Sequence, residues 1–87
     1  MGRNNNRTLN MTLEEFTINL EKEFEDVEPG TFKPDTNYRD IKNWSSIYAL
    51  IVVAFVDLNF DIILNAKDLK DTNTVKELYE LVLSKHV

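Results

Sequence analysis

The sequence predicts a small all-α domain. Amphipathic stripes with helical spacing, in residues 13–27 and 75–82, lie on either side of a strongly apolar segment at 47–58, and the 87 residues contain only two glycines and two prolines. Apolar residues that recur every three or four positions are typical of helices that bury one face. We therefore expect three main helices, one short helix and a long first loop.

The chain divides into a polar start and one folded domain. Residues 1–11 are rich in asparagine and have no apolar period, so the sequence predicts a flexible tail there and a helical domain over 12–87. A chain of this length is typical of a single domain, with no room for separate catalytic and substrate-binding halves. We expect a protein that is not an enzyme and is monomeric.

The first helix begins at a capping-box pattern and is followed by a long connection. The side chains of Thr12 and Glu15 can each accept a hydrogen bond from the other residue's backbone N–H. The helix is expected to end near Asp26. Residues 28–43 have no sustained period and contain both prolines. Three apolar residues of this connection are expected to pin it to the core: Phe32, Tyr38 and Ile41.

The central segment is apolar on two faces. The length of the segment favours a helix, from Ser45 or Ser46 to about Leu58, because strands usually have about five or six residues. The first face is predicted to pack against the core. The second face then provides more apolar residues than one core-facing side of a helix needs. The first face contains Ile47, Leu50, Ile51, Ala54, Phe55 and Leu58, and the second contains Tyr48, Ala49, Val52, Val53 and Val56.

In the last third of the chain, the sequence predicts a short helix followed by a longer one. A short extended segment at 60–64 precedes a single helical turn from Ala66 to Lys70. Thr74 and Glu77 repeat the capping-box pattern, and a stripe of apolar residues follows to a helix end near Lys85.

Composition excludes several classes of function. With 15 acidic and 10 basic residues, the chain has a net charge of −5, so we expect no nucleic-acid partner. Because the chain has no cysteine, we expect no disulfide and no cysteine nucleophile. The apolar run at 47–56 is about half of the roughly 20 residues that a membrane-spanning helix needs, so no membrane insertion is expected. The first residues lack the apolar core of a signal peptide, which favours a cytoplasmic location.

Oxygen-bearing residues in 57–68 partly match a calcium-binding loop. However, Ile62 stands where the EF-hand needs glycine, and Asp68 stands where it needs the longer glutamate. We expect no metal site.

The serine pair at the start of the central helix is the clearest chemical feature. A hydroxyl there can cap the helix by accepting from a backbone N–H. A phosphate ester on the same serine would lie at the positive end of the helix dipole, beside unpaired N–H groups. Ser45 and Ser46 therefore allow capping, phosphorylation or a cofactor linked through a phosphodiester.

The order and spacing of several landmarks resemble the acyl carrier protein family over residues 12–82. These landmarks are Phe16, Phe24, the loop with Tyr38-Arg39-Asp40, then Trp44-Ser45-Ser46-Ile47, Phe60-Asp61-Ile62, and Thr74-Val75 with Leu78. The resemblance implies a four-helix bundle of acyl-carrier type and makes Ser46 the site at which a phosphopantetheinyl transferase attaches phosphopantetheine covalently from coenzyme A. Acyl groups would be held as thioesters on that arm for fatty-acid, polyketide or related biosynthesis.

The resemblance also implies a cleft for the acyl chain and a docking face for acyl-loading and condensing enzymes. The cleft candidates are Val52, Val53, Val56, Ile62, Ile63 and Leu69, and the docking candidates are Trp44, Ser45, Ile47, Tyr48 and Ile51. Ser45 replaces the usual aspartate of the family's Asp-Ser-Leu motif. Tyr48 and Ile51 occupy positions that are often acidic, which implies docking that depends less on charge.

Two other functions are compatible with the same residues. The first is a protein-interaction module that has a carrier-like fold, is not phosphopantetheinylated, and uses its apolar second helix for a partner or for self-association. The second is a helical domain controlled by phosphorylation of Ser46. Modification with phosphopantetheine separates both from a carrier protein.

Overall fold

The computed structural model describes residues 11–42 and 44–85. Within those ranges the chain forms four α-helices and no β-strand, which confirms the predicted small all-helical domain. Residues 1–10 of the predicted tail, and residues 86–87, lie outside the described part of the chain. The helices are α1 (Leu13–Lys22), α2 (Ser46–Phe60), α3 (Ala66–Asp71) and α4 (Val75–Lys85), and a 3₁₀ turn lies at Tyr38–Asp40.

Helix α1 begins as predicted and ends earlier than predicted. The Thr12 hydroxyl accepts from the Glu15 N–H at 3.1 Å, and the Glu15 carboxylate accepts from the Thr12 N–H at 2.9 Å, which confirms the capping box. The helix ends at Lys22 rather than near Asp26. The reason is that the backbone N–H of Phe24 bonds to the Glu21 carbonyl, three residues back, so the last turn tightens and the helical ladder stops.

The connection after α1 packs against the core through its apolar residues, as the sequence predicts. Phe32 and Tyr38 are buried, and Ile41 packs partly buried against the core. Backbone hydrogen bonds also tie this connection to the start of α4. The N–H of Val75 donates to the Thr36 carbonyl at 3.0 Å, and the N–H of Tyr38 donates to the Asn73 carbonyl at 3.3 Å. The connection therefore spans the bundle instead of projecting from it.

The core-facing side of α2 is largely the second predicted face, although Phe55 of the first face is buried as well. The buried residues of the helix are Val52, Phe55, Val56 and Phe60. In contrast, Ile47, Leu50 and Leu58 are 66%, 67% and 84% exposed. Because both faces are apolar, the sequence period does not determine which face turns inward. On the inward side, the aromatic ring of Phe16 on α1 packs against Phe55 and Phe60 at centroid distances of 5.5 and 5.8 Å.

Helices α3 and α4 agree with the sequence prediction. A capping box between Asn65 and Asp68 begins α3, with distances of 2.9 and 3.0 Å. The predicted box at Thr74 and Glu77 is confirmed by reciprocal bonds of 3.1 and 3.2 Å at the start of α4. No helix within 11–42 or 44–85 is both long and apolar enough to cross a membrane.

Candidate functional site at the start of α2

Two adjacent serines at the start of α2 have different roles. Ser45 is the N-cap residue, in extended conformation, and its hydroxyl accepts from the Ile47 N–H at 3.3 Å. Ser46 is the first residue of the helix and is exposed. Its hydroxyl makes no side-chain hydrogen bond to any residue in the described part of the chain. The capping function is thus carried by Ser45, which leaves the Ser46 hydroxyl available.

A cavity of about 590 Å³ opens beside Ser46, between α2 and α3. Its volume is within the roughly 300–1,000 Å³ that is typical of small-molecule sites. Most of the wall is apolar. The lining residues are Arg39, Trp44, Ser46, Ala49, Leu50, Val53, Leu64, Asn65, Ala66, Leu69 and Lys70.

The charged residues on this cavity wall are both cations, although the chain as a whole is acidic. Arg39 comes from the 3₁₀ turn and Lys70 from α3. One terminal guanidinium nitrogen of Arg39 donates to the Asn73 side-chain oxygen. The Arg39 Nε is buried and has no acceptor within residues 11–42 and 44–85. Buried donors without a partner are uncommon in folded proteins and are costly.

The six cleft candidates are distributed over three environments. Val53 and Leu69 line the cavity. Val52, Val56 and Ile62 are buried in the core. Ile63 is 71% exposed and does not line this cavity. Leu50, Leu64 and Trp44 also line it, and sequence reasoning missed their place on the wall because helical spacing alone does not show where α3 packs.

The docking candidates are likewise divided. Ile47 and Ser45 are exposed, whereas Trp44, Tyr48 and Ile51 are partly buried against the core. The Tyr48 hydroxyl donates to the Asp26 carboxylate at 2.5 Å. That hydrogen bond raises the pKa of Tyr48, with smaller contributions from desolvation and from the Asp26 charge.

Ile47, Leu50 and Leu58 form an exposed apolar stripe on α2. The sequence predicts these three residues on the core-facing side, so the prediction is wrong for them.

The segment that partly matches a calcium loop does not form one. Helix α2 continues through Asp57 and Asn59, and Asp68 accepts the hydrogen bond that begins α3. Among the described residues, no group of three or more His, Cys, Asp or Glu side chains is placed to hold a metal ion.

Comparisons with models of known protein families, with curated proteins and with solved structures found no match.

Proposed function

We propose that this chain is an acyl carrier protein that holds acyl intermediates as thioesters on a phosphopantetheine arm attached to Ser46. The observation that carries the proposal is the position of Ser46. It is exposed at the first turn of α2, its neighbour Ser45 does the capping, and it lies on the rim of a mostly apolar cavity. The pathways served would be fatty-acid, polyketide or related biosynthesis.

The residues around Ser46 fit a phosphodiester-linked arm. The phosphate would lie beside the N-terminus of a 15-residue helix, where backbone N–H groups and the helix dipole favour negative charge. The arm supplies a terminal thiol, and the chain has no cysteine that could do so. The cavity beside Ser46 offers an apolar wall that shields an acyl chain from water.

The residues of the chain perform limited chemistry in this scheme. Ser46 would hold the arm through its Oγ as a phosphodiester: its hydroxyl proton would pass to the transferase, and adenosine 3′,5′-bisphosphate would leave from coenzyme A as the pyrophosphate bond breaks. After that step the carrier positions its cargo, while the acyl-loading and condensing enzymes perform the catalysis.

Intact mass spectrometry tests the proposal. The purified protein is incubated with coenzyme A, Mg²⁺ and a broad-specificity phosphopantetheinyl transferase. We expect the mass to rise by one phosphopantetheine group on the wild type and on Ser45→Ala, and to stay unchanged on Ser46→Ala. Because the two serines are adjacent, Ser45→Ala is a matched control for the site. An unmodified wild type in a folded sample contradicts the proposal.

The exposed apolar stripe of α2 favours a second candidate, an unmodified protein-interaction module. Ile47, Leu50 and Leu58 are large apolar residues exposed on one helix, and exposed apolar surface is a feature of partner-binding sites. The transferase experiment separates the two candidates. If Ser46 stays unmodified, Leu50→Lys and Leu58→Lys would identify whether this stripe mediates self-association, measured by sedimentation velocity.

A further inference from the structure

The exposed apolar stripe of α2 is left uncovered by the described part of the chain. Its three large residues, Ile47, Leu50 and Leu58, are mostly exposed. Ala54 is exposed between Leu50 and Leu58. These four residues are three or four positions apart, so they follow one side of the helix. Asp57 is the single charged residue within α2, so little of the negative charge of the chain opposes contact between two copies of this helix.

The spacing of the stripe is symmetric about Ala54. Leu50 lies four positions before Ala54, and Leu58 lies four positions after it. If two copies of α2 pack antiparallel with a two-fold axis at Ala54, Leu50 of each copy meets Leu58 of the other. A two-fold interface requires this reciprocity, because any contact of residue i with residue j is repeated as a contact of j with i. The small alanine side chain at the axis also allows the two helices to approach closely.

The charges near the ends of α2 favour the antiparallel direction. The helix has no acidic residue in its first turn and no basic residue in its last turn. Asp57 and Asp61 are exposed near its C-terminal end. Antiparallel packing brings these carboxylates beside the N-terminus of the second helix, where the helix dipole is positive. Parallel packing would instead bring the four carboxylates of the two copies together.

We propose that two copies of this chain form a symmetric dimer in which their α2 helices pack antiparallel, with the two-fold axis at Ala54. The dimer goes beyond the proposed carrier function and does not rest on it, because no contact in it requires an arm on Ser46. A monomer is expected from sequence, where Leu50 and Leu58 are predicted to pack against the core. Both residues are exposed in the structure, and the second copy supplies the apolar contact that the core does not.

Sedimentation velocity of the unmodified protein tests for the dimer. The mass of the sedimenting wild type should rise with concentration towards twice the mass of the chain. Leu58→Lys should raise the Kd of the dimer about a hundredfold or more, because each dimer loses two buried leucine side chains. Leu83→Lys is the matched control, since Leu83 is a partly exposed leucine on α4, away from the stripe, and it should leave the Kd unchanged. Circular dichroism confirms that each variant is folded.

Single cysteines test the geometry of the dimer, since the chain has no cysteine of its own. Ala54→Cys should form a disulfide-linked dimer on oxidation, because two residues on the axis lie within the roughly 7 Å between Cα atoms that a disulfide can span. Leu58→Cys alone should not, because its two copies are about 12 Å apart along the helices. A mixture of Leu50→Cys and Leu58→Cys should form the linked dimer.

The contribution of charge is tested by Asp61→Asn. Asp61 has a φ of 58°, and asparagine tolerates this left-handed conformation, so the variant removes the charge without changing the helix end. The Kd of the dimer should rise about three- to thirtyfold, because two carboxylates no longer lie beside a helix N-terminus. A lower Kd would indicate parallel packing and would contradict the proposal.

Three further results would overturn the proposal. They are a folded wild type that stays monomeric at every concentration, equal Kd values for Leu58→Lys and Leu83→Lys, and a linked dimer of Leu58→Cys alone. The transferase experiment gives an independent readout. A monomer that accepts phosphopantetheine refutes only the dimer, and a dimer that the transferase leaves unmodified refutes only the carrier function.

Discussion

The carboxylate of Glu21 accepts a hydrogen bond from the backbone N–H of Phe32 at 2.7 Å, across eleven positions of sequence. Its other oxygen accepts from the N–H of Gly30 at 3.0 Å. Glu21 lies on α1 and is only 7% exposed, so this one side chain joins the last turn of α1 to the loop that follows. Gly30 itself has a φ of 91°, a conformation that favours glycine.

Glu21→Gln should reduce the free energy of unfolding by about 1–3 kcal/mol, because an amide can accept only one of the two N–H groups and leaves a buried donor unsatisfied. Urea denaturation measures the change. Glu25→Gln is the control, since Glu25 is exposed in the same segment, and it should change the value by less than about 0.5 kcal/mol. Equal effects of the two variants would show that the Glu21 bonds contribute little.

The orientation of α2 can be tested by two truncations on that helix. Val56→Ala should cost about 2–3 kcal/mol, because Val56 is fully buried and the change leaves a cavity. Leu58→Ala removes more apolar volume, yet should cost less than about 0.5 kcal/mol because Leu58 is exposed. Urea denaturation compares them. If Leu58→Ala lowered the free energy of unfolding more than Val56→Ala, the helix face that contains Leu58 would be the one packed against the core, as the sequence predicts.

Local chemistry made part of this structure predictable from sequence. The capping boxes at Thr12 and Thr74 involve residues three apart, so their pattern identifies two helix starts directly. The orientation of α2 was not predictable in this way. Its two apolar faces are equivalent in sequence, and the choice depends on rings such as Phe16 that come from another helix.

The same distinction applies to the candidate site. The sequence places the serine pair at a helix start, and the resemblance to acyl carrier proteins selects Ser46 from that pair as the candidate. That Ser45, and not Ser46, caps the helix follows only from the hydrogen bond between the Ile47 N–H and the Ser45 hydroxyl. The position of Arg39 on the cavity wall depends on how the long connection folds back, and no local pattern shows that.

The Tyr48 hydroxyl provides a test at high pH. Its hydrogen bond to Asp26 raises the pKa of Tyr48, because the tyrosinate form loses that bond and lies beside a carboxylate. The resulting contribution to stability is present below the unfolded pKa of about 10 and is lost as the pH rises through the higher pKa of the folded state. Asp26→Asn should therefore lower the pKa of Tyr48 and flatten the loss of stability above about pH 10.

Alkaline ultraviolet titration of tyrosinate measures this pKa. Tyr48→Phe assigns the transition, because Tyr38 also has a raised pKa, in its case caused mainly by burial. The Tyr38 transition should be unchanged in Asp26→Asn. Superimposable titration curves for the wild type and Asp26→Asn would contradict the assigned cause.

The different roles of the two serines predict different effects on stability. Ser45→Ala removes the hydroxyl that accepts from the Ile47 N–H and should lower the free energy of unfolding by about 1 kcal/mol. Ser46→Ala should leave it within about 0.5 kcal/mol of the wild type or raise it slightly, because alanine is the better helix former and no hydrogen bond is lost within the described residues. Urea denaturation of both variants measures the difference. If Ser46→Ala were the more destabilising, Ser46 would be a structural residue, and the argument that its hydroxyl is available for modification would fail.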